Sequence, residues 1–383
     1  MSRNKNPFIT SGYVSAEYFC DRERESAELI RSITNGQNMA IISLRRMGKT
    51  GLIEHCFHQK EIEHDFYTFF IDIYATGNLK EFVFALGKQI FETLKPKGKK
   101  FLDRFFDTIT SLRPAFKLDA FTGAPTFDIG IGNIQQPEYS LEQIFSYLES
   151  ADKHCIVAID EFQQIEKYPE KNIEALLRTQ IQQCQNTNFV LAGSQRHMMQ
   201  NKFFSASRPF YQSVGVLNLD AIRAEKYIPF IQNHFAEAEK TVKPENILKV
   251  YHLFEGHTWY IQNIFNRLYS LTERGESSSL KFIAEIIDDT LTSYEMIFRG
   301  MLSLLPERQK ELLYAIAKEG KASGVTSAAF IKKHGLQSAS SVQTSLKQLL
   351  DKEIITREEN NYQVYDRFLG LWLSKAYGMG YHL

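Results

Sequence analysis

The chain has 383 residues, 45 Lys+Arg against 45 Asp+Glu, a formal net charge of +0 and 43% hydrophobic residues. That length predicts two or three domains with real cores, and the balanced charge leaves no global field to recruit nucleic acid or a membrane. Met1–Thr10 is polar, no run of about 18 apolar residues occurs, and the four cysteines (Cys20, Cys56, Cys155, Cys184) stand apart without a C-x-x-C pair; a cytoplasmic protein with reduced thiols and no membrane partner is expected.

The first informative segment is Ser43-Leu44-Arg45-Arg46-Met47-Gly48-Lys49-Thr50. Asn38–Ile42 before it is apolar and strand-like, and Gly51–Gln59 after it reads as a helix. Strand, loop and helix in that order are the setting a phosphate-binding P-loop requires. Gly48 lets the backbone pass close to a phosphate. The loop residues Ser43, Arg45, Arg46, Met47 and Gly48, with Gly51 at the helix start, surround the anion with N–H groups. Lys49 is expected to reach the β- and γ-phosphates and the Thr50 hydroxyl to bind Mg²⁺. Ser43 stands where G-x-x-x-x-G-K-[ST] has its first glycine, and a surface turn with a basic cluster is the alternative. His55 and His58, three apart on the same helix, lack a third ligand and read as surface histidines.

Asp65–Tyr74 is strongly strand-forming, and Lys95–Lys100 reads as a solvated basic turn. Cys155–Ile159 is a continuous apolar run, as suits a central parallel strand buried on both faces. It ends in Asp160-Glu161. Ligands of such sheets bind beyond the C-terminal strand ends, which places Asp160 to hold Mg²⁺ and Glu161 to orient and polarise the attacking water. An ordinary acidic strand end is the alternative, which the upstream P-loop disfavours. Asn188–Ser194 is a further strand, expected between the two motif strands. Ser194 there could sense a γ-phosphate or be a polar turn residue. Val214–Leu219 completes the set, with helical patterns between the strands, so the fold class is an α/β P-loop NTPase with a parallel sheet flanked by helices.

Asp220–Thr292 reads as helices, with a polar loop at Glu273–Ser279. Residues 299–383 read as a winged helix. Its elements are a helix over Pro306–Lys318, a short helix capped by Thr326 and stopped by Gly335, a third helix from its cap Ser338 to Asp351, and strands Ile354–Arg357 and Tyr362–Tyr365. The third helix offers Ser340, Ser341, Gln343, Thr344, Lys347 and Gln348, only one of them basic. The 299–383 region holds 12 Lys+Arg against 8 Asp+Glu, a balance of +4. Phosphate neutralisation dominates DNA affinity, so a protein-contact or intramolecular role is favoured over DNA binding.

These motifs resemble the archaeal-type ATPases of the STAND/AAA+ P-loop group, also widespread in bacteria. Tyr18-Phe19-Cys20-Asp21-Arg22-Glu23-Arg24-Glu25 resembles the family's F-x-G-R-x-x-E box, and Arg45-Arg46-Met47-Gly48-Lys49-Thr50 its R-R-x-G-K-T loop. Phe116–Ile131, with Thr122-Gly123-Ala124-Pro125 at its turn, resembles a family hairpin, and Asp366-Arg367-Phe368 with Leu371-Trp372-Leu373 resembles the family's C-terminus. The resemblance implies that Arg22 borders the adenine, that ATP or ADP with Mg²⁺ is the ligand, and that Gly256-His257-Thr258 is a sensor motif in which His257 contacts phosphate; a helix-start histidine is the plain alternative. The family's glycine-arginine pair after an aromatic is Gln212-Ser213 here. Arg208 or Arg196 could substitute, or either could be a surface salt-bridge partner. The expected organisation is a nucleotide domain over 1–219, a helical lid over 220–298 and a winged helix over 299–383. The expected function is an ATP-dependent switch with nucleotide bound between the first two, unknown protein partners and an open oligomeric state. A DNA-binding ATPase of origin-recognition or transposition-helper type, and a nucleotide-locked interaction protein, are the alternatives. Adenine over guanine rests on the resemblance and on the lack of an Asn-Lys-x-Asp motif.

Overall fold

The computed structural model describes residues 6–94, 99–118, 125–127, 134–376 and 383. The chain divides into two compact units, one of Ser11–Ile222 and one joining Met1–Thr10 to Arg223–Leu383.

The strands of the first unit are β1 (Met39–Ser43), β2 (Phe66–Asp72), β3 (Phe116–Leu118), β4 (Pro125–Phe127), β5 (His154–Asp160), β6 (Thr187–Gly193) and β7 (Gly215–Leu219). Five of them form one sheet in the order β2-β5-β6-β1-β7, every neighbouring pair parallel. β6 lies between the two motif strands, as the sequence predicts. Its helices are α1 (Glu23–Thr34), α2 (Lys49–Phe57), α3 (Lys60–Glu63), α4 (Leu79–Leu94), α5 (Lys99–Thr108), α6 (Pro137–Glu149), α7 (Ile173–Gln183) and α8 (Arg196–Phe204). Leu29 and Ile33 of α1 and Leu52 and Ile53 of α2 pack with Ile41, Ile156 and Val190 on one sheet face. α4, α6, α7 and α8 cover the other, where Phe82, Ile144, Leu177 and Met199 meet Ile42, Val157 and Leu191. Burial on both faces explains why β1, β5 and β6 carry unbroken apolar runs, whereas β2, at the sheet edge, alternates in burial. β3 and β4 pair as an antiparallel hairpin. Its turn residues Thr122, Gly123 and Ala124, and residues 95–98 of the expected basic turn, lie outside the described residues.

The second unit holds α9 (Ala224–Glu237), α10 (Pro244–Leu253), α11 (Thr258–Leu271), α12 (Leu280–Ser303), α13 (Glu307–Glu319), α14 (Ala328–His334), α15 (Ala339–Asp351) and α16 (Arg367–Ala376). Two short strands, β8 (Thr241–Val242) and β9 (Ser277–Ser278), pair within the polar loop region. The segment grouped above with the nucleotide domain, Asn6–Thr10, packs here instead. Phe8 is 1% exposed and sits among Phe230, Phe235, Phe265 and Tyr269. Asn6 Nδ2 donates to the Asn266 carbonyl at 2.8 Å, and Asn266 Nδ2 returns a bond to the Phe8 carbonyl at 2.7 Å.

α13, α14 and α15 form the helical part of the winged helix. Its sheet, in the order β10-β12-β11, comprises β10 (Ala322–Ser323), β11 (Ile355–Glu358) and β12 (Asn361–Val364). The short helix is capped by Ser327 rather than Thr326: the Ser327 hydroxyl accepts from the Phe330 N–H at 3.2 Å. Gly335, at φ 65°, ends that helix in the left-handed region, and Ser338 caps α15 through the Ser341 N–H, both as read from sequence. The wing strands are each shifted by one residue from expectation. The expected boundary at 298/299 falls inside α12, a continuous 24-residue helix.

Candidate nucleotide site

The P-loop runs from the end of β1 to the start of α2. Gly48 occupies φ 91° and is the residue before the helix, so α2 begins at Lys49, two residues earlier than the apolar pattern suggests. Arg46 also holds a positive φ, 69°. Lys49 is only 7% exposed, and Ser43 is fully buried, its hydroxyl without a hydrogen-bond partner among the described residues. Phe19 lies 3.6 Å from where a Cβ on Gly51 would stand, so the first turn of α2 runs close against the segment before α1.

The two motifs meet in space. Lys49 Nζ stands 2.5 Å from Asp160 Oδ1, the Thr50 hydroxyl donates to Asp160 Oδ2 at 2.8 Å, and the Glu161 N–H donates to Asp160 Oδ1 at 2.8 Å. Asp160 is 4% exposed, and a carboxylate that far from water requires such partners. Glu161 adopts φ 57° at the strand end, which turns its side chain toward the same cluster. Its Oε1 is 3.9 Å from Lys49 Nζ, and its Oε2 accepts from the Ser194 hydroxyl at 2.6 Å. Ser194 thus joins the cluster from the end of β6. The Asp160 carboxylate and the Thr50 hydroxyl in contact form an all-oxygen donor pair, which suits a hard cation such as Mg²⁺.

The other expected residues are placed differently. Arg22 is 4% exposed and committed to protein atoms: Nη1 to Glu25 at 2.7 Å, Nη2 to the carbonyls of Asp220 at 2.6 Å and Met47 at 3.3 Å. It clamps the P-loop to the chain after β7. Asp21, where the resembled box has glycine, takes φ 55°, so the backbone still makes the turn that glycine would favour. Arg45 lies over the ring of Tyr74, 5.5 Å from its centroid. Arg196 pairs with Asp220 at 2.7 Å. Arg208 pairs with Glu166 and, at 3.5 Å, with Glu174, and is not brought to the Lys49–Asp160–Glu161 cluster. The salt-bridge alternative is therefore the one its geometry fits. His55 is not a simple surface histidine: it stacks on Phe19 at 4.2 Å and bonds the Tyr13 hydroxyl.

His257, in the second unit, is the residue before α11 and is 8% exposed. Its Nδ1–H donates to the Phe254 carbonyl at 3.0 Å. Burial, reinforced by the Arg367 guanidinium, pushes its pKa down from 6.5 to about 4, so the ring is neutral near pH 7. Unfolded, it titrates near 6.5; between that pH and about 4 the unfolded chain binds the extra proton. Stability present above pH 6.5 should fall progressively toward pH 4, by at most about 3 kcal/mol. Chemical denaturation of wild type and His257→Asn across this range checks it; an identical pH dependence in both would overturn the assignment.

Two residues that the sequence did not single out matter here. Gln163 donates to Glu161 Oε2, and Lys202, with no exposed surface, lies between Glu166 and Glu174 at 3.1 Å from each. The only signal for Gln163 was its place two residues after Glu161. Burial pushes the Cys56, Cys155 and Cys184 thiols up to about 12, consistent with unreactive thiols. No helix among the described residues is long and apolar enough to cross a membrane.

A parallel sheet with a P-loop on one strand and an acidic strand end two strands away defines a Walker-type ATPase domain, here joined to a C-terminal winged helix. The chain belongs to the family of ATPase domains found predominantly in Archaea, whose model matches residues 19–264. A probable winged helix domain matches residues 296–375. Among solved structures the chain is similar to the Walker-type ATPase PabY2304 of Pyrococcus abyssi, at 17% identity and TM-score 0.66 over 96% of this chain and 99% of that one. It is also similar to the Aeropyrum pernix ORC2 protein in ADPNP–ADP complexes (13% identity, TM-score 0.58, 98% of each chain). The Aeropyrum pernix ORC1 protein in complex with DNA matches at 12% identity and TM-score 0.52 over 93% of each chain. These likenesses speak for the fold. No curated protein matches the chain.

Proposed function

We propose that this protein binds and hydrolyses ATP and works as a nucleotide-operated switch, its helical region and winged helix responding to the nucleotide state. The observation that carries the reading is the convergence of Lys49, Thr50 and the Glu161 N–H on one buried carboxylate, Asp160. In this reading Lys49 exchanges Asp160 for the β- and γ-phosphate oxygens, and the P-loop N–H groups surround the same anion. Thr50 and Asp160 would hold Mg²⁺, which supplies charge neutralisation on the phosphates. Glu161 accepts a hydrogen bond from water and orients it toward the γ-phosphorus. Ser194, bonded to Glu161, is placed to exchange that partner for a γ-phosphate oxygen. With Arg208 and Arg196 held in ion pairs, turnover by the isolated chain should be slow unless an arginine arrives from a partner or a second copy.

The partner we favour for the winged helix is protein. The exposed residues of α15 include Ser340, Gln343, Thr344 and Lys347, of which only Lys347 is basic, and acidic Glu358 ends β11 with Glu359 opening the turn to β12. A surface this poor in cations gains little from phosphate neutralisation.

ATP affinity is expected to fall about tenfold or more in Lys49→Ala, since a charge-assisted contact is worth about 1.5–3 kcal/mol, and turnover should be lost. Equilibrium ATP binding and phosphate release, measured at several protein concentrations with and without duplex DNA, test the reading together. Full binding and turnover in Lys49→Ala would refute the site. A specific rate rising with concentration would add an arginine from a second copy, and stimulation by DNA would replace the protein partner with DNA.

A further inference from the structure

We propose that Gln163 is a positioning residue for Glu161, fixing which carboxylate oxygen is left to meet water; this rests on the reading of Glu161 as the base. The two oxygens are not equivalent. Oε2 accepts from Ser194 Oγ at 2.6 Å and from Gln163 Nε2 at 2.5 Å, and these two donors occupy its lone pairs. Oε1 is the oxygen turned toward Lys49, with Nζ at 3.9 Å. One end of the carboxylate is thus fastened, and the other faces the ammonium that would bind the phosphate.

Gln163 is built into the molecule for this contact. It is 4% exposed and lies in the 3-10 helix Phe162–Lys167 directly after the acidic pair. Its Nε2 also reaches Ser194 Oγ at 3.5 Å, so it touches both members of the pair it braces. Its Oε1 is buried without a hydrogen-bond partner among the described residues. A Cβ on Gly193 would stand 2.5 Å from that oxygen, so the amide fits because β6 ends in glycine. An unpaired buried carbonyl is costly, and an apolar side chain of similar length would fill the space without that cost. What the amide adds is the donor to Glu161. The opposite flip would set its oxygen against the carboxylate, so Glu161 itself dictates the orientation.

The test is a double-mutant cycle on ATP turnover. Gln163→Leu should lower kcat about ten- to a hundredfold, because a misplacement near 1 Å costs that much, with ATP affinity unchanged. In the Glu161→Gln background the same substitution should cause no further loss, since the base it positions is gone. Ser194→Ala differs: it also removes the hydroxyl proposed to meet the γ-phosphate, so it should lower kcat in both backgrounds, and only Gln163→Leu should show the conditional loss. An unchanged kcat in Gln163→Leu, or an equal loss in both backgrounds, would overturn the proposal. Failure of the underlying reading looks different: wild type without turnover, or Glu161→Gln turning over at the wild-type rate, and either result removes this proposal with it.

Discussion

Phosphate release from ATP is expected to fall about 10²- to 10⁴-fold in Glu161→Gln, the range typical of losing a positioned general base. Nucleotide affinity should stay within about twofold, because the phosphate contacts assigned to Lys49 and the P-loop are untouched. The substitution suits the local geometry. A glutamine at 161 still offers an acceptor to the Ser194 hydroxyl, 2.6 Å away in the native protein, and keeps the backbone N–H that bonds Asp160. It loses the negative charge and the capacity to take a proton. Lys49 keeps its closer partner Asp160 at 2.5 Å, so the ammonium is not left unpaired. Single-turnover phosphate release, read beside equilibrium ATP binding, separates this variant from Lys49→Ala, where both fall. A Glu161→Gln protein that hydrolysed ATP at the wild-type rate would show that another group orients the water.

The sheet and the meeting of Lys49 and Thr50 with Asp160 were legible because they rest on short-range patterns. The apolar run of β5 and the acidic pair after it are adjacent in sequence, as are β1, the loop and α2. Parallel pairing then brings Asp160 and Ser194 to one edge without further information. Contacts that depend on distant partners stayed hidden. Phe8 is near the P-loop in sequence but packs on α9 and α11, because its apolar surroundings lie more than 200 residues away. β10 has two residues and exists only through pairing with β12. Thr326 and Ser327 are both competent helix caps, and only the backbone decides that the Ser327 hydroxyl reaches the Phe330 N–H. Arg208 looked available for catalysis because a linear reading shows no carboxylate beside it, whereas the fold supplies Glu166 and Glu174.

Those same carboxylates underlie the largest stability effect we expect. Lys202 lies within α8, fully buried, with Nζ 3.1 Å from both Glu166 Oε1 and Glu174 Oε1 and over the ring of Phe162 at 5.8 Å. Lys202→Met fills the same space but leaves two partly buried carboxylates with Arg208 as their one remaining cation among the described residues. Removing one partner of a buried ionic group costs about 3–5 kcal/mol, far more than the pair is worth against an apolar replacement of the whole network. For a folding unit of about 200 residues that corresponds to a thermal midpoint lowered by roughly 6–20 °C. Arg208→Met should cost only about 1 kcal/mol, because the arginine side chain is 31% exposed and water screens its pairing. Glu174→Gln in the Lys202→Met background should restore part of the loss by removing one of the stranded charges. Calorimetry of the three variants decides it: equal midpoints for Lys202→Met and wild type would mean the network carries no net stability. The consequence reaches the site. Glu166 sits at the far end of the 3-10 helix that follows Glu161, and Lys202 belongs to the helix that follows Ser194. The ion pair therefore ties together the two helices that follow Glu161 and Ser194, and loosening it should disturb the Ser194–Glu161 contact before the sheet itself yields.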